Sequence, residues 1–241
     1  MIPLLLKEIR SFLSSLIASI VIVVFLLAIG LFMWVFPDSN VLDYGYSTLD
    51  TLFYMAPWVF IFLISAITMK SFAEERKMGT IETITTKPIN NFQIILAKYL
   101  AALILVAFSI LPTLLYFYSV YELGSPRGNI DTGATWGSYI GLLLLGSCYV
   151  AIGLFSSSLT DNQIVSFILS MFLCFFCFTA FEQLSKLSLL SQIDFLIEWL
   201  GINFHYQNIS RGVLDSRDVI YFISFSAFFL GLTNKTIYKA K

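Results

Sequence analysis

Residues 71–100, SFAEERKMGTIETITTKPINNFQIILAKYL, form the longest charged and polar passage in a chain of 241 residues. An apolar run precedes this passage and another follows it, which is typical of a hydrophilic connection between two membrane-crossing helices. In the whole chain, 58% of the residues are hydrophobic and 12% are charged. Since average soluble domains carry about 25% charged residues, the surplus apolar surface must face lipid. The composition therefore predicts an all-α integral membrane protein.

Six segments free of Asp, Glu, Lys and Arg are candidate membrane spans. They are residues 11–37, 51–69, 99–121, 132–160, 162–181 and 219–234. Most of them reach the ~20 residues that a helix needs to cross ~30 Å of hydrocarbon. Pro112 lies inside the third segment and predicts a kink there, whereas the last segment is the weakest because it is short and contains Ser224 and Ser226. We expect residues 1–241 to form one domain with six transmembrane helices.

Positive charges are distributed unevenly between the two sides that six spans define. Of the 14 lysine and arginine residues, ten lie on the side of the two termini and four on the opposite side. Connections rich in these residues face the cytoplasm in most membrane proteins. Both termini are therefore predicted to be cytoplasmic, together with the connection over residues 71–98, which we call the hook.

The first 15 residues have the pattern of an amphipathic helix. Apolar side chains recur on one helical face, and the other face carries Glu8 and the basic residues Lys7 and Arg10. Such a division is typical of a helix that lies in the membrane interface before the chain turns into the bilayer, here called the elbow helix. The alternative is a straight cytoplasmic extension of the first span.

The hook is divided by residues that interrupt helices. Gly79 tolerates backbone angles that other residues avoid, and Pro88 biases the residue before it away from helical geometry. Residues 80–86 allow about two helical turns. Glu82 lies early in them, where the helix dipole favours an acid. We predict a short cytoplasmic helix presented for docking, and the alternative is an ordinary connection whose charges only fix the orientation.

The connection over residues 182–217 is too apolar for a solvated loop and too charged for a spanning helix. It predicts a re-entrant or interfacial helical pair, or short helices that rest on the outer leaflet. Glu182, Asp194, Glu198 and His205 are its candidates for a membrane-embedded enzyme acting on lipids. The sequence shows no accompanying nucleophile, metal-ligand or phosphate-binding motif, so we expect no catalytic residue, metal or cofactor in this chain. A net charge of −1 argues against nucleic acid as a partner.

The hook contains the pattern E-x-x-x-G-T-[LI]-E-x-[LI]…P. The residues that match it are Glu75, Gly79, Thr80, Ile81, Glu82, Ile84 and Pro88. With this pattern the chain resembles the ABC-2 type permease family, the transmembrane subunits of a class of ABC transporters. The order of elements along the whole chain is similar as well: an elbow helix, six spans, the hook and an apolar outer connection. Residues 204–222, FHYQNISRGVLDSRDVIYF, are similar to the gliding-motility-associated permease subunits of Bacteroidetes-type bacteria.

The resemblance implies a coupling helix in the hook that fits a cleft on a separate cytoplasmic ATPase, which would bind the ATP. The coupling residues would be Glu75, Gly79, Thr80, Ile81, Glu82, Thr83, Ile84 and Pro88. It also implies a second permease copy, identical or homologous, in the bacterial inner membrane, and an auxiliary membrane subunit with a periplasmic domain. Family members export lipids, lipid-linked glycans, drugs or peptides, and some perform mechanical work instead, so the substrate stays open. The alternative is a membrane scaffold that anchors an ATPase without transport.

Overall fold

The computed structural model describes residues 2–37, 39–79, 90–186 and 194–239. Within these ranges the chain consists of helices and short turns, without a strand. In chain order the helices are α1 (Ile2–Leu13), α2 (Leu16–Trp34), α3 (Val41–Tyr44), α4 (Asp50–Thr68), α5 (Lys70–Lys77), α6 (Asn91–Ile110), α7 (Leu114–Leu123), α8 (Thr132–Leu159), α9 (Gln163–Ser185), α10 (Asp194–Trp199), α11 (Ile202–Ser210) and α12 (Ser216–Lys239).

Five helical runs in the described residues are long and apolar enough to cross a membrane, and the bent pair α1–α2 makes six when it is counted as one span. Helices α4 and α5 together form one of these runs, Asp50–Lys77, and α6 continues through α7 in another, Asn91–Leu123. The prediction of an all-α membrane protein with six spans is confirmed. The end of the bundle that carries α1, α5 and the start of α6 is called the hook end, and the end that carries α3, α10 and α11 is called the far end.

Helix α1 does not continue straight into the first span, because α1 and α2 meet at an angle of 62°. Ser15 adopts an extended backbone conformation between them. Lys7 and Arg10 are exposed, and so are the apolar side chains of Ile2 and Leu13. Helix α1 is therefore not a straight extension of α2, and its position in the membrane interface stays a prediction.

Helix α8 forms the centre of the bundle and packs against α4, α6, α9, α11 and α12. Its small residues permit close approach, since a side chain added at Gly137 would meet the backbone of Gly212 in the turn after α11. At Gly141 an added side chain would collide with Ile209 of α11. These two glycines therefore serve packing within the chain and hold α11 against the core.

Two spans contain a proline, and each changes the local hydrogen bonding. The kink predicted at Pro112 coincides with a 3-10 turn, Leu111–Thr113, between α6 and α7. Pro57 lies inside α4, and because proline has no N–H, the carbonyl of Phe53 one turn earlier loses its helical donor. The hydroxyl of Tyr206 in α11 donates to that carbonyl at 2.7 Å. The proline thus provides the acceptor that fastens α11 to α4.

Residues 182–217 contain the end of α9, the short helices α10 and α11, and the start of α12. Two short helices therefore lie where the composition predicts a helical pair. Helix α11 packs on α8, α9 and α12, so it is part of the bundle rather than a free loop. This packing gives the far end three walls, formed by α4, α9 and α11.

A buried charged junction at the hook end

The candidate site begins with the hook residues that the resemblance marks for coupling. Glu75 lies on α5, and Gly79 follows the end of that helix with a φ of +66°, in the left-handed region that favours glycine. The remaining coupling residues and the predicted hook helix lie outside the described residues: Thr80, Ile81, Glu82, Thr83, Ile84 and Pro88. The structure therefore shows how the bundle holds the beginning of the hook.

Lys98 joins three helices at this end. It lies on α6, two turns from the helix start, and its side chain is 2% exposed. The ammonium Nζ is 2.7 Å from Glu75 Oε1 of α5 and 3.3 Å from Glu8 Oε1 of α1. It also lies 5.2 Å from the ring centroid of Phe72, within the range of a cation–π contact. The elbow helix, the start of the hook and the third span therefore meet at one cation.

The junction, defined as Glu8, Lys98 and Glu75, is shielded from water. The exposed fractions of the Glu8 and Glu75 side chains are 10% and 14%. Charges in such surroundings have lost most of their hydration, so each depends on its partners for stabilisation. Removal of the one cation would leave two carboxylates facing each other. The junction is therefore sensitive to any movement that separates α1, α5 and α6.

Neither Glu8, on the polar face predicted for the elbow helix, nor Lys98, at the end of the hook, is exposed to water. The elbow helix folds back along α6 and buries both side chains, a contact between residues 90 positions apart. One local signal could have indicated the burial of Lys98. The positions one turn before and after it, Ile94 and Ala102, face the core, so the lysine lies in the buried stripe of an amphipathic helix.

Ser157 makes a second connection between the hook and the bundle. Its hydroxyl oxygen on α8 accepts hydrogen bonds from the backbone N–H groups of Phe72, at 3.0 Å, and Ala73, at 3.1 Å. The same hydroxyl donates to the carbonyl of Met69 at 3.0 Å. A side chain inserted among the backbone groups where α4 meets α5 is a known cause of helix bending. Ser157 therefore ties the point where α4 meets α5 to α8.

Further hydroxyl pairs hold the spans together towards the hook end. The hydroxyl oxygens of Ser65 on α4 and Ser170 on α9 lie 2.8 Å apart. The hydroxyl oxygens of Ser158 on α8 and Thr236 on α12 lie 2.6 Å apart. The side chain of Asn162 accepts a hydrogen bond from the N–H of Ile164 and caps α9. The hydroxyl pairs thus join α4 to α9 and α8 to α12.

His205, the candidate catalytic histidine, is buried at the far end with both ring nitrogens engaged. Nδ1 lies 2.6 Å from Asp218 Oδ1, and Nε2 lies 2.8 Å from the carbonyl oxygen of Trp199. Because a carbonyl only accepts, Nε2 carries the hydrogen of that bond. The ring of Tyr221 stacks on the imidazole at 3.9 Å. These contacts make His205 a residue that fastens α10 and α11 to α12.

The other enzyme candidates do not join His205 in one described cluster. Glu182 of α9 accepts from Lys186 Nζ and from Asn203 Nδ2, each at 2.6 Å. Its carboxylate thus links the end of α9 to α11. Glu198 lies on α10, half-buried, and the Asp194 side chain is outside the described atoms. The contacts of Glu182 and His205 are those of residues that dock helices.

The fold and the junction together define a helical multi-pass membrane protein whose polar hook is anchored by buried charges. The sequence matches a family model described as ABC-2 family transporter protein over residues 37–234, which is more than half of the chain. No curated protein matches the chain. The chain belongs to the ABC-2 family of transporter proteins and is a membrane subunit of an ABC transporter.

Proposed function

We propose that the chain is the permease subunit that couples ATP hydrolysis by a separate cytoplasmic ATPase to export or to mechanical work across the bacterial inner membrane. The junction at Lys98 carries this proposal. A connection that served only to link two spans would have no need to bury a lysine between Glu8 and Glu75. The resemblance of residues 204–222 supports a role in gliding motility.

The contacts at the hook end support a route for force from an ATPase into the spans. A push on residues 80–88 would reach α5 through Gly79. Helix α5 is held to α6 and α1 by Lys98, and to α8 by Ser157. Tilting of α5 would therefore displace the second, third and fourth spans together, and the elbow helix with them.

The proposed assembly contains a second permease copy, identical or homologous, with two ATPase subunits beneath the pair and an auxiliary membrane subunit beside it. Exposed apolar side chains on α9 are compatible with lipid or a second copy, among them Ile164, Ile168 and Phe172.

Both termini and the hook would be cytoplasmic. Thiol labelling of intact cells tests this orientation: Lys77→Cys should be protected from an impermeant reagent and Arg127→Cys should be labelled.

Gly79→Ala tests the coupling role. The substitution places a side chain on a backbone with a φ of +66°, which costs about 1–2 kcal/mol and should distort the start of the hook. We expect ATP turnover of the reconstituted complex to fall several-fold, as it should for Glu82→Gln in the predicted hook helix. Gly231→Ala is the matched control, because a side chain added there meets nothing within 4 Å. Unchanged turnover and unchanged ATPase association in both hook variants would contradict the proposal.

A further inference from the structure

A cavity of 630 Å³ opens at the far end between α4, α9 and α11. Its volume lies within the range of about 300–1,000 Å³ typical of small-molecule sites. Neither the hook nor the junction contributes to its lining. We infer that this cavity binds the headgroup and upper acyl region of a zwitterionic phospholipid from the leaflet at the far end.

The lining changes from apolar to charged in the same direction on two helices. On α4, Asp50 is the first residue of the helix, and Tyr54 and Trp58 follow it on the same stripe, one and two turns later. Asp50 and Trp58 are thus about 12 Å apart along the helix axis. On α9, the buried Phe178 precedes Glu182 by one turn in the same sense. A molecule with an apolar body and a polar head matches this gradient.

The aromatic part of the cavity is preassembled. The rings of Trp58 and Phe178 meet edge to face with centroids 5.4 Å apart. Tyr54 is 69% exposed, so the cavity opens sideways on the face of α4, where lipid chains would lie. This opening favours an occupant that enters from the membrane.

The third wall, α11, is fixed by contacts with α4 and α12. The Tyr206 hydroxyl donates to the Phe53 carbonyl, and burial raises the pKa of Tyr206, which keeps the hydroxyl protonated and able to donate. Next to it, His205 is held by Asp218. Helix α11 therefore presents Arg211, the residue after its last turn, from a fixed position.

The charges of the rim select the class of headgroup. Glu182 is already bonded to Lys186 and Asn203. Asp50 and Arg211 line the same cavity, and neither forms an ion pair with another described residue. One carboxylate and one guanidinium match an ammonium and a phosphate, and Arg can bind a phosphate through two parallel hydrogen bonds. An anionic headgroup carries no ammonium, so the negative charge of Asp50 would have no positive charge of the lipid beside it.

This inference goes beyond the proposed function, because binding needs no ATPase and can be measured without nucleotide. The full chain would be purified in mild detergent and titrated with three lipids of identical acyl chains, a phosphatidylethanolamine, a phosphatidylglycerol and a neutral galactolipid. Native mass spectrometry then counts the retained lipids. We expect the phosphatidylethanolamine to be retained at least tenfold more strongly than either of the others.

Arg211→Gln and Asp50→Asn should each reduce this preference at least fivefold. Arg127→Gln removes the same charge from an exposed arginine that pairs with Glu122 outside the cavity, and it should leave the preference unchanged. Equal retention of the three lipids, a preference for the anionic lipid or the galactolipid, or full retention in both rim variants would overturn the inference.

A fluorescence measurement provides an independent readout. The chain has four tryptophans, and only Trp58 lines the cavity among the described residues. A phosphatidylethanolamine brominated near the glycerol should quench the wild-type emission more than Trp58→Phe emission, whereas Trp136→Phe should behave as the wild type. Equal quenching in wild type and Trp58→Phe would contradict binding in the cavity. None of these results depends on whether an ATPase associates with the hook.

Discussion

The two ends of the bundle both bury charged side chains, but they use them differently. At the hook end, Lys98 joins two carboxylates from separate helices, so three elements share one cation. At the far end, His205 pairs with Asp218 through Nδ1, and its other ring nitrogen, Nε2, is bonded to a backbone carbonyl. The far end is thereby fastened, and an open cavity lies beside the fastened helices.

We interpret this difference as a division of roles, in which force would enter at the hook end and the far end would resist movement. The junction includes Glu75, four residues before Gly79, so its geometry is coupled to the start of the hook. The contacts of α11 at the far end all lead back into the bundle. We therefore expect substitutions at the hook end to affect both stability and coupling, and substitutions at the far end to affect stability and lipid binding.

Lys98→Met should have the largest effect. It leaves Glu8 and Glu75 facing each other in a buried site, and loss of one member of a buried ion cluster costs about 3–5 kcal/mol. The free energy of unfolding, measured by detergent titration of the purified chain, would report this loss. Lys77→Met, at an exposed position on α5, should change it little.

A rescue experiment separates charge from packing at the same position. Adding Glu8→Gln and Glu75→Gln to Lys98→Met removes the repulsion and should restore most of the stability. Coupling of ATP hydrolysis should stay impaired, because the three helices are no longer held by a shared cation. If the triple variant is as unstable as Lys98→Met, the lysine contributes packing rather than charge compensation.

Ser157→Ala should have the next largest effect. It removes the partner of two backbone N–H groups and one carbonyl where α4 meets α5, which should cost about 2–3 kcal/mol. Ser156→Ala is a closely matched control, since Ser156 is equally buried and its hydroxyl bonds to Ile152 within its own helix. The same unfolding measurement compares the two variants, and equal losses would refute a special role for Ser157.

Asp218→Leu should destabilise the far end by about 1–2 kcal/mol, because it leaves His205 Nδ1 buried without a partner. Asp218→Asn should cost less, since the asparagine amide can donate to an unprotonated Nδ1. Thermal unfolding of both variants would show the order. Neither should change ATP turnover per folded complex, and a specific loss of turnover in Asp218→Asn would weaken the distinction between the two ends.

Tyr206→Phe should have the smallest effect, about 1 kcal/mol, because it removes the donor to the Phe53 carbonyl. Pro57→Ala supplies a backbone N–H that can donate to this carbonyl in place of the Tyr206 hydroxyl. In that background Tyr206→Phe should therefore cost less than in the wild type. A double-mutant cycle measures the difference, and additive losses would show that the two residues are not coupled through the carbonyl.

Much of the architecture could be predicted from the sequence because local rules determine it. The bilayer sets the length of an apolar run, so the six spans were recognisable without tertiary information. A helix at the start of the chain followed from the amphipathic pattern of its residues. Gly79 was recognised as an interruption, and it has the positive φ that only glycine adopts readily.

The tertiary contacts of the site could not be predicted in the same way. Glu8 pairs with Lys98 only because the elbow helix folds back along α6, and no local pattern encodes that direction. The partner of the Phe53 carbonyl lies 153 residues away in Tyr206, although Pro57 does reveal that the carbonyl is free. Sequence patterns thus indicated which groups need partners, while packing decided which residues provide them.

We propose that the anchored hook receives force from an ATPase. Affinity purification of the tagged chain from its native membrane in mild detergent tests this claim most directly, with the subunits quantified by mass spectrometry. We predict a nucleotide-hydrolysing subunit in equal copy number, retained by Gly231→Ala and depleted by Glu82→Ala. Recovery of the chain without any such subunit, or equal recovery of that subunit with both variants, would contradict the account.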